Sequence, residues 1–196
     1  MYEGMIELLH KEVALALGCT EPIAVALSAA KCKETLGKIP ETIEILASTN
    51  ILKNGMGVGI PGTGMVGLHI AAVLGVTGGN SSKLLEVLSD IKQEDIKLAK
   101  IMLNEKRVNI KRKNTSEKLY IEVLCKYDNE YSRVVIRGSH TNIVLVESNG
   151  KKISEEEGQD TLGYKEGKNE IITVEDIYKF INEVYTDKII FLLHGS

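Results

Sequence analysis

The stretch Gly18–Ala30, with the sequence GCTEPIAVALSAA, places a cysteine at the start of an almost wholly apolar segment. Gly18 is expected to end a preceding helix. Thr20 is expected to cap the next helix, with Pro22 in its first turn, where a missing N–H costs nothing. The spacing predicts this second helix over residues 21–36. Because a helix that is apolar nearly all round belongs in the middle of a fold, this segment is predicted to be the central element.

The rest of the pattern predicts an α+β fold, in which a helical layer packs on a mostly antiparallel sheet of about four to five strands. The chain is predicted to be one domain, 1–196, divided into a mainly helical part with a glycine-rich loop at 1–105, a β-meander at 106–148, a mobile loop at 149–172 and a C-terminal helix at 173–196. Helices are predicted at 2–17, 64–74 and 93–104, with a short one ending at Leu88. Strands are predicted at 42–47, 108–111, 119–126, 132–137 and 142–146.

Composition and charge exclude two classes of protein. Hydrophobic residues make up 43% of the chain and charged residues 26%, which is ordinary for a globular domain. The net charge of −3, with seven Tyr, two Phe and no Trp, offers neither the basic surface nor the stacking platforms of nucleic-acid-binding proteins. The longest apolar stretches, 23–30 and 65–74, are too short to span a membrane, and residues 1–4 do not open a signal peptide. We therefore expect no nucleic-acid and no membrane partner.

The three cysteines, Cys19, Cys32 and Cys125, have neither CxxC spacing nor a neighbouring histidine pair. This argues against a disulfide framework and against a self-contained zinc site, and it favours a cytoplasmic location. Cys32 and Cys125 fall inside a predicted helix and a predicted strand, so both are interpreted as structural.

Cys19 has two interpretations. A lone cysteine is more often a small buried core residue than a ligand. However, a thiol at a helix N-terminus lies at the positive end of the macrodipole, which favours the thiolate that binds metal or attacks carbon.

The loop Asn54–Gly64 contains a literal GxGxxG at residues 57–62. Polar residues separate it from the preceding strand and Pro61 interrupts it, so a dinucleotide site is rejected. Two alternatives remain about equal: a packing loop whose glycines let two elements cross closely, and a cradle of backbone N–H groups for a carboxylate. In the polar turn 139–142, His140 is either simply exposed or, beside a reactive centre, a base or substrate ligand.

Three segments together resemble the L-cysteine desulfidases, which belong with the α chain of the iron–sulfur L-serine dehydratases. These segments are Leu17–Leu27 (LGCTEPIAVAL), Asn54–Gly67 (NGMGVGIPGTGMVG) and His140–Ile143 (HTNI). The similarity runs in order from about Val13 to the end of the chain. It implies an N-terminal domain of an iron–sulfur lyase that carries out β-elimination on L-cysteine, giving pyruvate, ammonia and sulfide, or on L-serine, giving pyruvate and ammonia.

The resemblance also implies a [4Fe–4S] cluster held by three cysteines, with one iron open to substrate as a Lewis acid. Cys19 matches the first cluster cysteine, whereas Cys32 and Cys125 do not match the others, which belong to a C-terminal half of the family. The isolated chain is therefore expected neither to hold a full cluster nor to turn over.

His140 is the candidate catalytic residue, and Cys19 is the candidate metal ligand. The candidate substrate-binding residues are Thr20, Asn50, Asn54, Gly62, Thr63, Thr141 and Asn142. The expected partners are a small-molecule amino acid and the C-terminal half of the same protein or a partner subunit, with self-association left open. The alternative function is a non-catalytic amino-acid-binding or regulatory module.

Overall fold

The computed structural model of the chain describes residues 2–13, 16, 18–155 and 172–192. The chain divides into two compact units, one formed by Met1–Leu15 with Tyr164–Ser196 and the other by Ala16–Gly163. The single domain over 1–196 stays a prediction.

The larger unit alternates helices and strands up to residue 112 and then continues as a meander. Its helices are α2 (Thr20–Leu36), α3 (Thr49–Gly55), α4 (Leu68–Gly78) and α5 (Gln93–Asn104), with a 3-10 turn at Ser81–Glu86. Its strands are β1 (Thr42–Ala47), β2 (Gly59–Ile60), β3 (Met65–Val66), β4 (Val108–Arg112), β5 (Tyr120–Tyr127), β6 (Glu130–Arg137), β7 (Ile143–Ser148) and β8 (Lys151–Glu155).

The main sheet has six strands in the order β4-β1-β5-β6-β7-β8. All neighbours are antiparallel except β1 and β4, which run parallel and pair from Ile43 with Val108 to Ala47 with Arg112. The predicted α+β class with a mostly antiparallel sheet is confirmed, although the sheet has six strands rather than four to five. The additional strand is β8, which lies in the segment predicted to be a mobile loop.

The hairpin turn between β7 and β8 explains this difference. Asn149 and Gly150 both have positive φ, at 48° and 80°. Asn-Gly is the preferred pair for a two-residue turn of this kind, because its twist matches that of the flanking strands. Residues 156–171, which make up most of the segment predicted to be a mobile loop, lie outside the described residues.

The helix α2 is the centre of the core, as the apolar stretch predicted. Its residues 22–30 are all buried. On one side it packs on α4 at a distance that only glycine allows. A Cβ added at Gly75 would overlap the carbonyl oxygen of Ala26 and lie 3.0 Å from the Cβ of Ala29, and one at Gly79 would lie 3.0 Å from the Cβ of Ala30.

On its other side, α2 is attached to the sheet by hydrogen bonds. The Cys32 thiol lies within hydrogen-bond distance of the carbonyl oxygens of Ser132 in β6, at 3.1 Å, and Val123 in β5, at 3.3 Å. The Ser132 hydroxyl in turn donates to the carbonyl oxygen of Cys32 at 2.7 Å. These contacts join a helix to two strands about 100 residues further along the chain, and they support the structural interpretation of Cys32.

Several predicted boundaries change in the structure. The helix predicted at 64–74 begins later, at Leu68, because Met65 and Val66 pair with Gly59 and Ile60 in a small hairpin. The segment 49–55, which carried no prediction of its own, is the short helix α3.

The smaller unit contains α1 (Tyr2–Glu12), α6 (Val174–Glu183) and α7 (Thr186–Ile189), followed by a 3-10 turn at Ile190–Leu192. The Tyr2 ring meets Phe180 edge-on, with centroids 5.8 Å apart, and its hydroxyl donates to Glu183. Thr173 caps α6 and accepts a hydrogen bond from the backbone N–H of Asp176. The C-terminal helix is not continuous, however, because the chain is extended at Val184.

Within the described residues, no helix has both the length and the apolar character needed to cross a bilayer.

The close approach of α4 to α2 gives a direct test of the core. We expect Gly75→Ala to lower the free energy of unfolding by about 1–3 kcal/mol, because the added methyl must push the two helices apart. Urea denaturation followed by circular dichroism measures this change. Gly57→Ala is the matched control, since a Cβ there meets nothing within 4 Å. Equal stability of the two variants would contradict the packing described here.

Candidate functional site

Cys19 lies at the start of α2, where it is exposed to solvent. The helix begins one residue earlier than predicted, at Thr20, so the N-cap position belongs to Cys19 rather than to Thr20. Cys19 has extended backbone angles, φ −68° and ψ 135°, and its side chain makes no capping hydrogen bond. Its thiol donates instead to the carboxylate Oε2 of Glu21, at 2.8 Å.

Glu21 is the residue that the side chains of Cys19, Thr20 and Asn54 all contact. Its other oxygen, Oε1, accepts a hydrogen bond at 3.1 Å from the side-chain amide of Asn54, in the last turn of α3. The Thr20 hydroxyl lies 3.5 Å from Oε2. Partial burial would by itself raise the pKa of Glu21, but the hydrogen bonds from Cys19 and Asn54, with the nearby His140, hold it below its usual range. Glu21 is therefore a carboxylate at neutral pH.

The pKa of the Cys19 thiol shifts in the opposite direction. Its hydrogen bond to Glu21, followed by partial burial, raises the pKa of Cys19 above its usual range. The position at a helix N-terminus predicted a more stable thiolate, and the structure corrects this, because a carboxylate within hydrogen-bond distance stabilises the protonated thiol. In the resting site, Cys19 is thus a neutral thiol beside a negative charge.

His140 completes the group from the connection between β6 and β7. The ring is half-buried, and loss of hydration lowers the pKa of His140, while the charge of Glu21 opposes this change without cancelling it. The imidazole is therefore neutral at pH 7, with a nitrogen free to accept a proton. We call Cys19, Glu21, Asn54 and His140 the polar site. Its members come from three separate segments of the chain.

The other predicted binding residues are placed differently. Thr63 stabilises its own loop, since its hydroxyl donates to the carbonyl oxygen of Ile60 at 2.8 Å and accepts from the backbone N–H of Met65 at 3.0 Å. Asn142 closes the turn beneath His140, where its side-chain amide donates to the carbonyl oxygen of Arg137 at 2.9 Å. Both side chains therefore have structural partners, and their role as substrate ligands stays a prediction.

Three further candidates lie on the loops and helices around these residues. Thr141 is half-buried in the same turn as His140, and Asn50 is exposed on α3. Gly62 is exposed in the loop that joins β2 to β3 and has φ +75°.

The glycines of the glycine-rich loop fall into two groups, and the predicted carboxylate cradle stays a prediction. A Cβ added at Gly67 would lie 2.8 Å from the carbonyl oxygen of Met56, and one at Gly55 would collide with the Leu68 side chain, so these two serve close packing. Gly62 and Gly64 have nothing within 4 Å of an added Cβ. Both have positive φ, so they shape a turn whose backbone faces open space.

The cysteines of the described residues do not fit a cluster bound by three thiolates. Cys32 and Cys125 are fully buried in the core, and only Cys19 is exposed. Within the same residues, no three His, Cys, Asp or Glu side chains are grouped so that they could hold a metal ion. A [4Fe–4S] cluster in a longer protein stays a prediction.

Glu21 is the functional residue that sequence reasoning missed. The signal was its position two residues after Cys19, in the first helical turn. Residues two apart on a helix do not face each other, which hides such a pair from pattern reading. The extended backbone of Cys19 turns its side chain toward Glu21 and makes the contact possible.

The thiol–carboxylate contact predicts how Cys19 reacts. We expect alkylation of Cys19 by iodoacetamide at pH 8 to be slower than that of a free cysteine. We expect Glu21→Gln to accelerate it severalfold, because removal of the negative charge lowers the pKa of the thiol. Mass spectrometry of the modified peptide gives the rates. Glu44→Gln, which alters an exposed carboxylate paired with Lys126, is the control. An unchanged rate in Glu21→Gln would refute the contact.

Comparison with known proteins gives relatives over almost the whole chain. A UPF0597 protein of Parabacteroides distasonis is 47% identical over 98% of this chain, and one of Bacteroides fragilis is 46% identical over 98%. One of Photobacterium profundum is 40% identical over 100% of it. The chain spans about 45% of the length of these curated relatives. No family model matches the chain, and no solved structure matches it.

These matches correct the family and the function inferred from the motifs. The identification with L-cysteine desulfidases and serine dehydratase α chains is wrong, because relatives at 40–47% identity over nearly the whole chain are named UPF0597 proteins. The inferred N-terminal domain of an iron–sulfur lyase is withdrawn with it, since none of these names describes such an enzyme. Over nearly all of its length, the chain is similar to the UPF0597 proteins.

Proposed function

We propose that this chain supplies the thiol, carboxylate and imidazole of an enzyme active site that binds a small amino acid. The observation that carries the proposal is the hydrogen bond of 2.8 Å between the exposed Cys19 thiol and Glu21. A thiol hydrogen-bonded to a base that a third group orients has a fixed position, and here the carboxylate keeps the thiol protonated as long as its negative charge is not offset. Asn54 is that third group here.

The charges of the polar site suit an amino-acid ligand. The Glu21 carboxylate is the natural partner of an ammonium group, and it lies where solvent can reach it. A cation bound there offsets the charge that keeps Cys19 protonated, so ligand binding lowers the pKa of the thiol. The neutral imidazole of His140 is available to accept a proton. Binding and activation of the thiol are thus coupled through one carboxylate.

We also propose that the site is completed by other polypeptide, either further sequence of the same protein or a partner subunit. In support, the relatives are about twice as long as this chain, which spans 45% of the first two. A reducing compartment, the cytoplasm, is proposed because all three cysteines are free thiols.

The proposal is tested by incubating the native protein with a panel of amino acids and following each one by proton NMR. We expect one or more small amino acids to bind and to be consumed. We expect consumption to be lost in Cys19→Ala, while Glu44→Gln, at an exposed carboxylate paired with Lys126, leaves it unchanged. Binding without consumption would contradict the enzymatic role, and the absence of binding would contradict the proposal as a whole.

A second variant tests the role of the carboxylate. We expect Glu21→Gln to weaken amino-acid binding by about 10- to 100-fold, because a charged hydrogen bond contributes about 1.5–3 kcal/mol. Since the hydrogen bonds from Cys19 and Asn54 hold the pKa of Glu21 below its usual range despite partial burial, binding to the unmodified protein is expected to persist from neutral pH down to mildly acidic pH. Isothermal titration calorimetry across this range measures both effects. A Glu21→Gln variant with full affinity would remove the carboxylate from the site.

A further inference from the structure

The larger unit contains a cavity of about 320 Å³ that the polar site does not include. Six of its lining side chains are aliphatic or prolyl, namely Ile23, Ile60, Pro61, Leu88, Ile91 and Ile96. Ile23, Ile60 and Ile96 are 1%, 4% and 6% exposed, so packing fixes these walls in place. The volume is at the lower end of the range for small-molecule cavities, about 300–1,000 Å³. It therefore suits a small aliphatic group and not a nucleotide.

The polarity of the cavity changes from inside to outside. The hydroxyl of Ser89 and the amide of Gln93 are its polar lining groups, and both residues are exposed. The Ser89 hydroxyl accepts a hydrogen bond from Lys83 at 2.9 Å. An aliphatic ligand group can thus enter without stripping water from a buried polar side chain.

The cavity borders the polar site along α2 and along the loop that joins β2 to β3. Ile23 lies in the first turn of α2, four residues after Cys19. Pro61 contacts the residue before Cys19, because a Cβ added at Gly18 would lie 3.3 Å from the Pro61 Cγ. The wall of the cavity therefore reaches the residue that precedes Cys19.

We propose that this cavity is the side-chain subsite of the amino-acid site, and that the ligand is an amino acid with a short aliphatic side chain. The inference rests on the proposed function. The ammonium group of the ligand pairs with Glu21, its side chain fills the cavity, and the Cys19 thiol lies against the atoms between them. The subsite then selects for apolar side chains, whereas the polar site alone recognises the charged end common to all amino acids.

The experiment uses the full chain with carbon-13 labels on the isoleucine methyl groups and three probes: glycine, L-leucine and 3-methylbutan-1-ol. We expect L-leucine to bind about tenfold more tightly than glycine, since each buried methylene adds to affinity. We expect both L-leucine and the alcohol to shift the methyl signals of Ile23, Ile60 and Ile96. The alcohol lacks both charged groups, so it reports on the cavity alone.

Substitutions in α5 and just before it test whether the preference for L-leucine depends on the cavity. Ile96→Phe fills the cavity and is expected to reduce the preference for L-leucine over glycine to near unity. Ile101→Phe, at a position 52% exposed on the same helix, is expected to leave it intact. Ile91→Phe provides a second cavity-filling change should Ile96→Phe prevent folding, which circular dichroism reveals.

The possible outcomes separate the subsite from the proposed function. Equal affinity for glycine and L-leucine, unaffected by Ile96→Phe, would overturn the subsite and leave the amino-acid site standing. Shifts caused by the alcohol without binding of either amino acid would overturn both the proposed function and the amino-acid ligand inferred here. No response to any of the three probes would overturn the cavity as a binding site altogether.

Discussion

The contact between the backbones of α2 and α4 at Ala26 and Gly75 is the constraint on which the larger unit depends. Because α4 has no side chain at Gly75, its backbone packs directly against the backbone of α2 at Ala26. The other side of α2 is held on the sheet by Cys32 and Ser132. Because α2 is held on both sides, the position of its N-terminus is fixed as well. This is why Cys19 and Glu21, which precede the buried part of α2, have a defined position relative to α3 and to the turn that carries His140.

At that end of α2, two electrostatic effects compete over one thiol. The helix macrodipole, acting through partial charges, favours a thiolate. The carboxylate of Glu21 carries a full charge at hydrogen-bond distance, and it favours the thiol. The nearer and larger charge prevails, so Cys19 keeps its proton. A protonated thiol is a weak nucleophile and reacts slowly with electrophiles.

The sequence determined the parts of the fold that depend on local pattern. The apolar run 22–30 identified the central helix, and the helix over 93–104 was predicted with the bounds observed. The strand β8 was missed although its Asn149–Gly150 turn is a strong local signal, because the polar residues after it dominated the interpretation. Glu21 was missed for a different reason: its role depends on the extended backbone of Cys19 and on Asn54, which lies 33 residues away. Contacts of that range cannot be read from spacing.

The order of strands in the sheet has a consequence for synthesis of the protein. Strand β1, at 42–47, lies between β4 and β5, and neither neighbour exists until the ribosome has passed residues 112 and 127. Throughout that interval, the apolar surface of α2 has no sheet to cover it. Strands that are far apart in the sequence pair slowly, because the entropy cost of closing the intervening loop comes before their favourable contacts form. Aggregation of the nascent chain through this surface is therefore most favoured before β5 emerges.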